Sequence, residues 1–135
     1  PQVNRSLSTL TSVFVQWQEG EKGDLEITGY KLFMIELAQA IKAGYDGTLN
    51  TDVKSYLVEG LQTGHYYSFF VKAINYNQES EYSAELVVAA CLAPNHIDSP
   101  YFVSSTKTGI TLGWQTPKFL GGCPTLSYAL FMDYG

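Results

Sequence analysis

Positive charge is what this chain has least of. Eight Lys and Arg stand against thirteen Asp and Glu in 135 residues, the net charge is −5, and Arg5 is the single arginine. Holding a nucleic-acid backbone or an anionic membrane surface takes clustered cations that displace counterions. No such cluster exists here, so neither nucleic acid nor direct membrane contact is expected of this segment. No apolar run approaches the ~20 residues that a helix needs to span hydrocarbon. Histidine is confined to His65 and His96. Each lies among turn or linker residues, with no Cys, Asp or Glu at metal-ligand spacing, and both read as exposed loop residues. No Ser or Cys sits in a nucleophile elbow, and no glycine-rich phosphate loop opens a helix. The expectation is a chain that is not an enzyme and carries no cofactor or metal.

Helical pattern is scarce as well. Leu37–Ala43 is the one stretch with helical propensity, and being short and uncapped it reads as a strand end or loop. What the chain has is strand. Val13, Val15 and Trp17 alternate with Phe14 and Gln16; Tyr30, Leu32 and Met34 alternate with Lys31 and Phe33; Tyr67, Phe69, Val71 and Ala73 alternate with Ser68, Phe70 and Lys72. That period of two gives each strand one buried face. Turn residues separate the runs: 19–24, then Tyr45-Asp46-Gly47, then Gly60 and Gly64. Short strands, turns and no βα alternation predict an all-β antiparallel sandwich.

The pattern occurs twice. Trp17 returns as Trp114, 114 − 17 = 97 residues on, and Met34 returns as Met132, 132 − 34 = 98 on. A period that long is one small domain, so the chain reads as a tandem array. Residues 1–93 make a complete domain and 94–135 the first strands of a second, about three, with Leu92-Ala93-Pro94-Asn95 as the linker. Ile110, Leu112, Trp114, Tyr128, Leu130 and Met132 would then line a half-core without opposing strands. The expectation is an excerpt of a longer parent that continues for about 50 residues or more.

Leu61-Gln62-Thr63-Gly64-His65-Tyr66-Tyr67-Ser68-Phe69-Phe70-Val71-Lys72-Ala73-Ile74-Asn75, with Trp17 upstream and Ser80 and Ser83 downstream, resembles the fibronectin type III domain. That family carries a Trp in its second strand, a Tyr in its third, and Leu-x-Pro-Gly-x-x-Tyr-x-Phe-x-Val-x-Ala-x-Asn across its sixth. Thr63 departs from the usual Pro, and Glu79 stands where Gly often follows the Asn. The resemblance implies an immunoglobulin-like sandwich with Trp17, Tyr30, Leu61 and Tyr67 in its core and Trp114 and Tyr128 repeating the pattern. Tyr67 takes the place of a tyrosine corner, its hydroxyl bonded to backbone near Leu61–Gly64. Gly64 supplies the tight turn before it.

In such a fold the outer face of the sixth strand carries Tyr66, Phe70, Ile74 and Tyr76, beside Phe33 and Ile35 of the third. An aromatic stripe on a solvated sheet marks a contact surface, unless Lys31, Lys72 and a loop cover it. Cys91 at the end of the last strand and Cys123 in Gly121-Gly122-Cys123-Pro124 come to the same pole, where a disulfide would close a loop and stiffen the joint. The alternative is two free thiols in a reducing compartment. Asn4-Arg5-Ser6 is a glycosylation sequon. Glu19, Glu21, Asp24 and Glu26 read as a solvated acidic loop rather than a calcium site. Lys22-Gly23-Asp24 is similar to an integrin-binding tripeptide but lies in the wrong loop for that role. The Gly-Gly-Cys-Pro segment also resembles repeats of very large surface or ciliary proteins of unicellular eukaryotes. Together these imply a non-catalytic structural and protein-interaction segment, whose partners are neighbouring domains and lateral assemblies, in an extracellular or cell-surface rod or ectodomain. The alternatives are an intracellular cytoskeletal or ciliary scaffold and an accessory module of a large secreted enzyme.

Overall fold

A computed structural model of the chain describes residues 1–20, 25–36 and 39–133. Strands β1 (Gln2–Asn4), β2 (Val13–Gln16) and β5 (Ser55–Val58) form one sheet in the order β1-β2-β5. Strands β3 (Gly29–Glu36), β4 (Lys42–Gly47), β6 (Tyr66–Ile74) and β7 (Leu86–Ala89) form the other, in the order β4-β3-β6-β7. All pairings are antiparallel, and Phe33 stands opposite Phe70 in the long β3–β6 ladder.

The alternation in sequence becomes the core between the sheets. Val13, Val15 and Trp17 face Leu32, Tyr67, Phe69 and Val71, with Val58, Leu61, Val88 and Ala90 closing the layer. Val13, Val15, Leu32 and Phe69 are almost wholly buried, each contributing about 1.5–3 kcal/mol by leaving water. Trp17, just past β2, is buried, its ring 6.0 Å from Tyr30 and 6.4 Å from Tyr45, and Tyr45 stacks on Tyr56 at 5.0 Å. The Tyr67 hydroxyl accepts the Gln62 N–H at 2.8 Å, the corner expected of it, and Gly64 turns the chain at φ 83°.

Tyr45-Asp46-Gly47 is strand, not turn: these residues end β4, and the reversal follows at Thr48–Asn50, where the Asn50 N–H bonds the Gly47 carbonyl. Period-two reading missed this because a bulge shifts the β3–β4 register between Leu32 and Phe33. Of Leu37–Ala43, Lys42 and Ala43 lie in β4, while Leu37 and Ala38 fall outside the described residues.

Strands β8 (Tyr101–Ser105) and β9 (Ile110–Gly113) pair as a separate hairpin, as β1 and β2 do. Trp114 meets Tyr128 at 5.9 Å and 56°, against 6.0 Å and 58° for Trp17 and Tyr30. Residues 114–133 carry no strand, so the third run expected at 127–132 has no ladder partner among the described residues. Ile110, Leu130 and Met132 are more than half exposed, and Leu112, Trp114 and Tyr128 about two-fifths exposed.

Candidate functional site

Two places gather the residues that the sequence singled out: the outer face of the four-stranded sheet, and the joint where the sandwich meets the C-terminal hairpin.

On the outer face, Phe33 and Phe70 lie side by side and Ile35 stands opposite Ser68. Tyr66 sits at the far end, 48% exposed. Tyr82, which sequence reasoning missed, comes from the β6–β7 connection. It lies edge-on to Phe33 at 5.3 Å and to Phe70 at 5.7 Å, and the Lys72 ammonium stands 4.4 Å over its ring. Its placement follows from the serines flanking it. The Ser80 and Ser83 hydroxyls accept the Ala73 and Val71 N–H groups, each at 3.0 Å, and their own amides donate back to the same two residues. The two serines staple the connection to the edge of β6, and the aromatic residue between them falls across the stripe. A Ser-x-x-Ser pair enclosing an aromatic after the sixth strand was the available signal.

Two of the expected face residues are elsewhere. Ile74 has the right parity but is only 8% exposed. Its carbonyl binds the Thr28 amide and hydroxyl, it bridges to Glu79, and it shares a small hollow with Leu25, Ile27 and Gln78. Tyr76 is 81% exposed but lies in the Asn75–Gln78 turn, past the end of β6. The face is therefore Phe33, Ile35, Phe70 and Tyr66 with Tyr82 and the exposed Val87 of β7.

Its charged end is neutralised. Lys31 donates to Glu79 at 2.7 Å and lies 3.5 Å from Asp46, and Glu79 also reaches Lys72 at 3.6 Å. The Lys31 hydrogen bond, chiefly, holds the Glu79 carboxyl below its usual range, and the same bond raises Lys31. Thr48 bonds lower Asp46. His65 sits in its turn with Nδ1 3.0 Å from Glu36 Oε1, and His96 is exposed. Among the described residues no three His, Cys, Asp or Glu side chains are placed to share a metal. Lys22-Gly23-Asp24 and Glu21 lie outside the described residues.

At the joint, Cys91 and Cys123 form a disulfide, Cα–Cα 5.9 Å. Arg5 donates to the Ala89 and Cys91 carbonyls beside it, both at 3.3 Å. The Asn4 side chain accepts from the Ser6 amide and hydroxyl, capping the short 3-10 turn Arg5–Leu7.

The family model of the fibronectin type III domain matches residues 2–89. The chain belongs to the fibronectin type III family. Human myomesin-2 is 35% identical over 136 residues, spanning 93% of this chain and 9% of that protein. The chicken striated-muscle M-protein is 31% identical over 126 residues, 90% of this chain and 8% of that protein. Chicken sidekick-2 is 27% identical over 110 residues, 79% and 5%. The chain thus spans under a tenth of the length of these relatives. Among solved structures, the sixth fibronectin type III domain of the human fibronectin type III domain containing protein 3 superposes with a TM-score of 0.58 at 19% identity, over 73% of this chain and 88% of that one. A two-domain segment of chicken tenascin gives 0.51 at 16%, over 87% and 62%. At those identities the structures support the fold alone. This fibronectin type III domain is homologous to segments of myomesin-2 and M-protein.

Proposed function

We propose that the chain is a non-catalytic structural and protein-interaction segment of a tandem fibronectin type III array, with residues 94–135 the front of a second domain. The repeated Trp–Tyr geometry supports the tandem reading. In that role the sandwich transmits position, the outer sheet face meets protein partners, and the joint holds successive domains in line.

The observation that carries the reading is the Cys91–Cys123 disulfide across the joint. Structural disulfides persist in oxidising compartments, which favours an extracellular or cell-surface rod or ectodomain. The kinship with the striated-muscle M-protein favours the second reading, an intracellular scaffold with lateral docking.

Non-reducing peptide mapping separates the two. On parent protein purified from its source with thiols blocked at lysis, a linked Cys91–Cys123 peptide is the expected result. Two alkylated thiols would overturn the extracellular reading in favour of the scaffold.

A further inference from the structure

The joint is held by more than its disulfide. The Leu92 N–H donates to the Gly121 carbonyl at 2.9 Å and the Asn95 N–H to the Phe119 carbonyl at 3.1 Å, while Asn95 Oδ1 accepts the Phe119 N–H at 3.3 Å. Gly121 and Gly122 both have positive φ, 74° and 85°, and lay this turn directly against the rest of the chain. A β-carbon on Gly121 would strike the Leu92 carbonyl, and one on Gly122 would strike the Thr63 methyl group. The Gly122 carbonyl itself lies 3.0 Å from where a β-carbon on Gly64 would stand. Gly121 is buried.

We infer that residues 119–123 dock on the 92–95 linker and the Thr63–Gly64 turn chiefly through backbone, with the Asn95 side chain accepting the Phe119 N–H, before and independently of disulfide formation. A disulfide constrains one point and leaves a pivot. Hydrogen bonds spread over residues 92–95, together with a side-chain-free approach to the Thr63–Gly64 turn, constrain orientation as well. Docking brings Cys91 and Cys123 within bonding reach while both are thiols. Oxidation then locks a geometry that already exists: the two thiols become one disulfide as one glutathione disulfide becomes two glutathione thiols. The surface recognised is the backbone of a two-glycine turn, and any side chain at either glycine is excluded. This inference extends the reading of the chain as a non-catalytic structural segment and holds in either compartment.

The test uses the chain of 135 residues. Hydrogen exchange is read at Leu92 and Asn95 in the reduced protein, and the effective concentration of the thiol pair is titrated against glutathione. Docking predicts protected amides and an effective concentration at least tenfold above the mM values of flexible linkers. Gly122→Val should return the effective concentration to about the mM level and free both amides, while the Leu32 and Val71 amides stay protected as the fold control. Freely exchanging Leu92 and Asn95 in the reduced wild type, or an effective concentration near the flexible value, overturns the inference without any variant. So does a folded Gly122→Val protein that keeps the wild-type value. The reading as a non-catalytic structural segment survives all three results and falls instead to a demonstrated catalytic turnover.

Discussion

The Tyr67 hydroxyl is a polar group in a mostly apolar layer, and it accepts the Gln62 N–H. Phenylalanine at 67 would keep the ring and strand that amide. Tyr67→Phe is therefore expected to lower the unfolding free energy by about 1–3 kcal/mol, seen as a lower urea midpoint with unchanged slope. A midpoint within error of wild type would mean that water replaces the bond. Trp17 and Tyr67 stand on the inner face that alternation gives them, while Leu61 and the corner hydroxyl were implied by the resemblance to the fibronectin type III domain. Ile74 and Tyr76 were not. Alternation assigns a residue to a face, but it does not show where the strand ends or what folds over it. The turn at Asn75–Gln78 decides both.

Among the elements, β6 shows how one strand serves two purposes. Its inner residues Tyr67, Phe69 and Val71 make the core, while its edge is completed by β7 as far as Phe69 and by the Ser83 and Ser80 hydroxyls at Val71 and Ala73. The stripe of Phe33 and Phe70 was legible by parity; its cover by Tyr82 was not, because that contact depends on a loop returning to the sheet. Charge beside the cover gives a pH dependence with a definite sign. Glu79 is held below its ordinary value of 4.5, so its contribution is full above that pH and lost as pH falls through the lowered value. Lys31 is raised above 10.5, so its contribution is full below that pH and lost as pH rises through the raised value. Glu79→Gln should flatten the acid limb of stability against pH, measured as urea midpoints between about pH 3 and 7. An unchanged limb would assign the acid sensitivity to other carboxylates.

At the scale of the molecule, Trp17 with Tyr30 and Trp114 with Tyr128 meet in matching ring geometry, in keeping with the proposed repeat. The joint was half legible. Two cysteines at one pole suggested the bond, but the glycine turn docked beside it needs backbone coordinates to be seen. Reduction should remove about 3–4 kcal/mol of chain-entropy stabilisation from the unit containing residues 119–123 and leave the sandwich nearly untouched. Calorimetry with and without reductant would check this: the main transition should hold its midpoint while Trp114 fluorescence reports earlier loosening. A large fall in the main transition would show that the sandwich leans on its neighbour.

The disulfide also decides how the chain answers a pull along its length. Cys91 and Cys123 are 32 residues apart in sequence, yet tension arriving at Cys91 passes straight through the sulfurs to Cys123. The linker, β8 and β9 lie in a slack loop that carries no load. Stretched, that loop would be about 110 Å long at ~3.4 Å per residue. Extension of the oxidised chain falls short by that length, and a reductant restores it, which makes the cysteine pair a fuse set between the sandwich and the segment that follows it.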